Sequence, residues 1–434
     1  MMRVATRQFI SSTVQGLALL FAISSLLACG VRAENAHSAD AFVDSVGLNI
    51  HLHDGDTPYG NFPAIEKALR ALGVRHVRDG LIDTKWLPYY DRMNTLGRDG
   101  IKCIFITNPQ QTVELLQSYP DRVKDSFEGY EAPNEYDNSD DKGWVTTLTN
   151  FLPTLAHAVR TNPHDSSFPI IGPSFIHAES YSLVSGTSQF VAFSNLHNYF
   201  AGRNPGTSGW GDNGYGSLTW DTNLVTRAWP GLPIVTTETG YQTDTTNPQG
   251  IPESVAAKYL PRLLLEQYAH GIRRTYLYEL MDVSIPEKDI HNTFGLVRSD
   301  FSPKPAFASV QHLISLLADP GIPFVPQSLS FTLSGELSNV HHLLFEKRDG
   351  TYLLAIWQEV PSYDVNAKRM LPVSPQHVAV DLASVFNIDQ NRLNEDGTIT
   401  TEASRATSHA AIIVDDRLTL LRLTTPSAPQ QTAH

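Results

Sequence analysis

Between about residues 44 and 318, short apolar runs alternate with amphipathic stretches of helical period, and that alternation leaves the chain few architectures. Strands separated by helices pair in parallel, because each return to the sheet needs a crossover. The predicted strands are 46–52, 74–78, 101–107, 127–132, 169–173, 193–199, 233–237 and 274–280, a set of the size and order of an α/β fold, the (β/α)8 TIM barrel. Asn61 and Pro63 open a helix with Ile65, Leu69 and Leu72 on one face, and Gly73 ends it. Further helices are predicted at 86–96, 142–160, 253–270 and 305–317, the one at 253–270 kinked or broken at Pro261.

Beyond Pro320 the texture changes. Runs at 329–333, 341–346, 352–357, 378–381, 411–414 and 418–423 alternate with Gly, Asp and Pro turns and show no helical period. They predict an all-β sandwich over 320–424, packed on a barrel of residues 44–319, with a polar tail at 425–434. At the other end, Arg3 and Arg7 precede an apolar run from about Val14 to Ala28, with no acid before Glu34. That is the order of a secretory signal over 1–33, followed by a linker at 34–43. The run is short for a membrane span of about 20 residues. Val31-Arg32-Ala33 resembles an ordinary cleavage site. Leu26-Leu27-Ala28-Cys29 resembles a bacterial lipobox, in which Cys29 would carry a lipid anchor; both remain open. Export, to the periplasm, the medium or the outer surface, is the expectation. Cys103 falls in an apolar strand and reads as a buried thiol, with no disulfide framework around it.

The formal net charge is −13, and loss of Arg3, Arg7 and Arg32 with residues 1–33 deepens it to −16. So acidic a chain repels polyanions, which disfavours nucleic acid and suits a neutral glycan; no segment specifies an oligomeric state.

Two glutamates supply the chemistry. Asn134-Glu135 closes the run 127–135 and Glu238 closes Leu-Pro-Ile-Val-Thr-Thr-Glu, 232–238, each where an apolar strand gives way to a loop. Strand C-termini of a (β/α)8 barrel share one face, so the two carboxylates can meet across one cleft. Facing carboxyls about 4–7 Å apart suit cleavage of a glycosidic bond with retention, for which about 5–5.5 Å is usual. A second Asn-Glu pair, Asn394-Glu395, is followed by Asp396-Gly397 and reads as a hairpin turn.

With His197 and Tyr199 on strand six, the order Asn-Glu, His-x-Tyr, Glu resembles the clan of retaining (β/α)8 glycoside hydrolases. That clan includes the family 5 cellulases and mannanases and the family 39 glycosidases, and several of its families carry an appended β-sandwich. The resemblance spans about residues 44–424. It implies Glu135 as general acid/base, Glu238 as nucleophile and Asn134 as the asparagine that hydrogen-bonds the sugar 2-hydroxyl. Arg78, in Val-Arg-His-Val-Arg-Asp-Gly, matches the arginine that keeps the nucleophile ionised, with a plain salt bridge to Glu131 or Asp79 as the alternative. His197 and Tyr199 match the pair that contacts the two carboxylates. Chemistry makes the same demands: a proton on Glu135, favoured by partial burial, and a charge on Glu238, favoured by a nearby cation and hydroxyl. One departure stands out. Many clan members end strand eight on a tryptophan that floors the sugar site, whereas this chain has Tyr278, Glu279 and Asp282 there. Glu279 would either bind sugar hydroxyls or pair with Arg273 or Arg274.

The stretch 201–230 reads as a long loop carrying Trp210, Tyr215, Trp220 and Trp229 among Gly, Asn and Ser. Tryptophan faces stack on sugar rings; packing of the loop on the barrel is the alternative for each. His51 and His53 share a face of strand one near Asp54 and Asp56, but nothing completes a zinc-type cluster, and one of them, His51, is expected to hydrogen-bond substrate. No metal or other cofactor is implied. The expectation is a retaining hydrolase of β-linked neutral poly- or oligosaccharide. Its rivals are a silent barrel that binds carbohydrate at the cell surface and a transglycosylase using the same residues. A sugar-phosphate enzyme would need a Gly-rich phosphate loop after strands seven and eight, which the chain lacks. The β-module, without an aromatic cluster in its strand runs, is expected to support the barrel and not to bind glycan.

Overall fold

The computed structural model describes residues 32–163, 166–211, 213–285, 290–403 and 406–426. The segment expected to be a leader, with Cys29 and the lipobox-like run, therefore lies outside the described residues apart from residues 32 and 33, as does most of the expected tail. Among the described residues no helix is long and apolar enough to cross a membrane.

Eight parallel strands form the barrel: β1 (Val46–Asn49), β2 (His76–Gly80), β3 (Lys102–Ile106), β4 (Phe127–Glu131), β5 (Ile170–Ile171), β6 (Ser194–His197), β7 (Ile234–Thr239) and β8 (Arg274–Leu277). Neighbours run from β1 through β2, β3 and β4 to β5, and from β1 through β8 and β7 to β6. A parallel bridge between Ile171 and Phe193 joins β5 to β6 and closes the ring. The first crossover follows its local signals. The Asn61 side chain accepts from Ala64 N, Pro63 occupies the first turn of helix Phe62–Leu72, and Gly73 ends it at φ 80°. Ile65, Leu69 and Leu72 are buried on one face. Inside the barrel, Gly47 pairs with Tyr276, and a Cβ at Gly47 would lie 2.3 Å from the Tyr276 ring. The glycine is what lets this fully buried tyrosine fill the interior.

Three expectations change. Helix Glu253–Ala269 runs through Pro261 without a break, because Val255 through Gln267 are buried between barrel and module and packing holds the helix on. Among the helices that were not legible, the two longest are Val113–Arg122 and Leu218–Ala228. The second puts Trp220 on a helix rather than a loop. Residues 34–43 are not a linker: Arg32–Asn35 is a strand, His37–Ser38 another, and Ala39–Asp44 a helix.

Both N-terminal strands belong to the C-terminal module. Its strands are β9 (Ser328–Gly335), β10 (Val340–Glu346), β11 (Tyr352–Gln358), β12 (Gln376–Leu393), β13 (Ile399–Ala403), β14 (Thr407–Val414) and β15 (Thr419–Thr424). Arg32–Asn35 pairs antiparallel with β9, and His37–Ser38 pairs parallel with β10. β12 is shared by two sheets, pairing with β9 and β14 through its first half and with β13 and β15 through its second. Leu329, Phe331, Leu354, Val380, Ile412 and Leu421 belong to one core between them. Asn394–Gly397 is the turn between β12 and β13, with Asn394 N donating to Thr398 O at 2.8 Å.

The module meets the barrel through buried charge. Glu359, 1% exposed at its side chain, accepts from Arg262 Nε and Nη2 at 2.8 and 2.7 Å and from Trp357 Nε1 at 3.0 Å. It also accepts from Asn204 Nδ2 at 2.8 Å and Gly206 N at 2.9 Å, in the segment after β6. Lys258, four residues before Arg262, donates to Asp416 at 2.6 Å.

Candidate active site

Glu135 leaves β4 with its backbone in the left-handed region, φ 41° and ψ 40°, which non-glycine residues rarely adopt. Such strain is held where surrounding contacts fix it. Here the Glu135 N–H donates to Ser174 Oγ at 3.2 Å, after β5. Glu238 stands on β7, its side chain 13% exposed. One oxygen of Glu135, one of Glu238 and a His197 nitrogen lie within 4.8 Å of one another.

Arg78 on β2 organises the floor. A guanidinium has five N–H donors, and all five are used. Nε and Nη2 donate to Glu131 at 2.6 and 2.8 Å, Nη1 to Asn49 Oδ1 at 2.8 Å and Glu238 Oε1 at 2.6 Å, and Nη2 to Asn134 Oδ1 at 2.5 Å. Asn49 is oriented for this because its Nδ2 donates to the Thr237 and Leu277 carbonyls. Both alternatives for Arg78 thus hold at once for Glu131 and Glu238, while Asp79 turns away to Leu52 N and His53. Tyr199 OH donates to Glu238 Oε2 at 3.0 Å. Burial pushes the Tyr199 hydroxyl well above its ordinary range, with the Glu238 charge adding to the effect, so it stays a neutral donor. Burial opposes the charge on Glu238, but the His197 and Arg78 charges and the hydrogen bonds from Arg78 and Tyr199 outweigh it and hold the carboxyl below its usual range.

His197 ties the two carboxylates together. Its Nδ1 is 2.7 Å from Glu135 Oε1 and 3.6 Å from Glu238 Oε2, and its Nε2 is 2.9 Å from Thr237 Oγ1. The Thr237 hydroxyl proton points to Asn195 Oδ1 at 2.8 Å or Glu131 Oε1 at 3.1 Å, both acceptors. Its lone pair therefore faces His197, and Nε2 carries a hydrogen. The short contact on the other side then holds one proton, either on Nδ1 or on Glu135. A proton shared at that place is what a general acid needs.

Other predicted residues divide. Asn134 is in place beside Arg78. Trp210 and Trp220, with Tyr215, line a cavity of about 330 Å³ that also touches Glu135, His197 and Tyr199. Trp229 is fully buried and packs with Phe175 and Tyr181. Glu279 corrects both of its expectations. Its side chain has no exposed surface, accepts from Tyr59 OH at 2.8 Å and Asn292 Nδ2 at 2.5 Å, and touches neither Arg273 nor Arg274. Arg274 instead bonds Glu128 at 2.8 Å. Glu279 also lies 3.2 Å from His51 Nε2. Glu279 is thus buried beneath the surface and held by Tyr59 and Asn292. Half-buried Tyr278 has its ring against Phe294 and His51 and its hydroxyl accepting from Asn292. Asp282 bonds Lys304 at 2.7 Å and is structural. The polar layer of Asn49, Asn195 and Thr237 was missed; its one sequence signal is polar side chains in otherwise apolar strands.

No protein-family profile and no curated protein matches this chain. Solved structures do. A family 39 glycoside hydrolase from the gut symbiont Bacteroides cellulosilyticus WH2 superposes with a TM-score of 0.63 at 15% identity, over 90% of this chain and 83% of that one. A monomeric β-xylosidase from Caulobacter crescentus CB15 gives 0.60 at 15% identity over 91% and 98%, and a glucosidase from Croceicoccus marinus 0.56 at 12% over 84% and 92%. Likeness at this identity is likeness of fold, and it takes in barrel and module together: the chain has the (β/α)8 barrel with C-terminal β-module found in family 39 glycoside hydrolases.

Proposed function

We propose that the protein is a retaining glycoside hydrolase of β-linked neutral glycans, with Glu135 as acid/base and Glu238 as nucleophile. The observation that carries this is the approach of the two carboxylates, from β4 and β7, to within 4.8 Å around His197. Retention needs carboxyls about 5–5.5 Å apart, whereas inversion needs about 6.5–9.5 Å to admit a water. Glu238, paired with Arg78 and Tyr199, is kept charged and aimed. Its oxygen attacks the anomeric carbon as the bond to the leaving oxygen breaks, and the proton held between Glu135 and His197 passes to that oxygen. Glu135, now a carboxylate, takes a proton from water, whose oxygen displaces Glu238 and restores the starting configuration. Neutral substrates fit because Arg78 has no donor left for a sugar carboxylate. The xylosidase and glucosidase among the structural neighbours make β-xylosides and β-glucosides the first substrates to try. The proposal includes export, which intact-mass analysis of the mature N-terminus checks.

The test is stereochemical. With an aryl β-glycoside followed by proton NMR, the first-formed sugar should be the β anomer. A first-formed α anomer would overturn the mechanism, and no hydrolysis across β-xylosides, glucosides, mannosides and galactosides would overturn the activity.

A further inference from the structure

Arg78 holds two carboxylates, and the proposed chemistry uses only one of them. Glu131, at the end of β4, has a side chain with no exposed surface, so it cannot touch a substrate. It takes two of the guanidinium's donors, Nε at 2.6 Å and Nη2 at 2.8 Å, while Glu238 takes one, Nη1 at 2.6 Å. A carboxylate gripped by the edge of a guanidinium in this way is ionised. Its remaining contacts are neutral: Asn195 Nδ2 and the Thr237 hydroxyl, each at 3.1 Å. Asn195 is itself fixed, its Nδ2 donating to the Gly172 carbonyl at 3.0 Å, just after β5.

Stability alone gives no reason for this arrangement. One buried cation needs one anion, and Glu238 already supplies it. Taking a second carboxylate wholly out of water against the same guanidinium adds a desolvation cost without a second cation to offset it. His197, Tyr199, Tyr278 and Glu135 face Glu238 too. Among the described residues, however, no carboxylate other than Glu131 and Glu238 bonds Arg78.

The reaction supplies the reason. On the functional assignment above, on which this inference rests, Glu238 is an anion only part of the time. Its oxygen bonds the anomeric carbon as the bond to the leaving oxygen breaks, and the proton held between Glu135 and His197 goes to that oxygen. The carboxylate has then become a neutral ester. Arg78, 2% exposed, would be left as a buried cation without an anion, beside a sugar that gathers positive charge in the transition state. We propose that Glu131 is a positioning residue that keeps Arg78 neutralised and in place while Glu238 is esterified, so that the nucleophile can give up its charge without stranding the guanidinium. Arg78, Glu131 and Glu238 together carry one negative charge before attack and none after it. Without Glu131 the same count would run from none to one positive charge.

The two chemical steps can be timed separately with a dinitrophenyl β-xyloside, or β-glucoside where that is the sugar turned over, whose hydroxyl next to the anomeric carbon is replaced by fluorine. Fluorine slows both steps. Release of dinitrophenolate then times formation of the glycosyl-enzyme, and recovery of activity after excess reagent is removed times its hydrolysis. In Glu131→Gln, formation should slow about ten- to a hundredfold, the span given by loss of one charged hydrogen bond. Hydrolysis restores the Glu238 charge beside Arg78 and should not slow. Glu131→Asp keeps the charge at shorter reach and should show the same asymmetry at smaller size, which carries the test if Glu131→Gln does not fold. The pH profile has a definite sign as well. The Glu131 charge offsets that of Arg78 at Glu238, so Glu131→Gln should move the acid limb of kcat/KM to lower pH. If Glu131 did no more than hold Arg78 in position, its loss would release Arg78 from Glu238 and the limb would rise. Equal slowing of both steps, or a rise of the acid limb, overturns the proposal. Absence of both turnover and a glycosyl-enzyme in the unsubstituted protein overturns the hydrolase assignment beneath it.

Discussion

Replacing Glu238 with alanine should reduce turnover by about four orders of magnitude or more on every substrate, because no glycosyl-enzyme can form. Glu135→Ala should behave differently. Substrates with a good leaving group, such as dinitrophenyl glycosides, need no proton donor, so their first step should survive while the second slows for lack of a base. Azide needs no base, and it should rescue Glu135→Ala with formation of the β-glycosyl azide after two inversions. In Glu238→Ala, azide would occupy the place of the lost carboxylate and give the α-azide by a single inversion. The opposite pairing of variant and product would mean the two roles are reversed. The pH profile offers an independent check. Glu238 is held below the ordinary glutamate value of about 4.3, so the acid limb of kcat/KM in the unsubstituted protein should fall below that pH. Replacing Tyr199 with phenylalanine removes one hydrogen bond to the anion and should move that limb upward.

Glu359→Ala should cost about 3–5 kcal/mol of stability, the largest loss expected outside the catalytic groups. The Arg262 side chain has no exposed surface, and its ion pair to Glu359 lies between barrel helix and module. Removing one partner strands a charge in a dry interface, and it also frees Asn204, Gly206 and Trp357 Nε1. The double variant Glu359→Gln, Arg262→Met should recover part of the loss, which the denaturant midpoint would show. A loss under about 1 kcal/mol for Glu359→Ala would mean that water reaches the site. The pH dependence has a definite sign. Burial opposes the Glu359 charge, but Arg262 and the hydrogen bonds from Arg262, Asn204 and Gly206 outweigh it and lower the carboxyl's pKa. Its stabilisation is then complete above the unfolded value of about 4.3 and is lost only as the pH falls through the lower folded value. The gap between unsubstituted protein and Glu359→Ala should accordingly narrow only in acid. The same variant removes the acceptor of Asn204 and Gly206, in the segment that carries Trp210.

The order of the barrel strands was legible because it rests on local properties. Apolar period, an Asn cap at residue 61 and a glycine stop at residue 73 act within one turn or one strand, and they agree with the structure. Glu135 and Glu238 could be placed for a related reason: once a parallel barrel is accepted, every strand's C-terminus shares one face, whatever the detail in between. The sequence by itself therefore determined the architecture and the convergence of two carboxylates. It could not determine what holds them. The acceptors of Arg78 lie up to 160 residues from it in the chain, and no local pattern shows that Glu131 shares the guanidinium with Glu238. Glu279 reads as a rim carboxylate until the tertiary structure buries it under Tyr59 and Asn292. Residues 34–43 read as a linker because strand pairing with residues 328–331 and 345–346 leaves no trace in a polar stretch of chain. Pro261 reads as a helix breaker because propensity is local, while the packing that overrides it comes from the barrel on one side and the module on the other. Periodicity encodes which face of an element is buried; which polar group meets which, across a hundred residues or more, is decided only when the chain closes on itself.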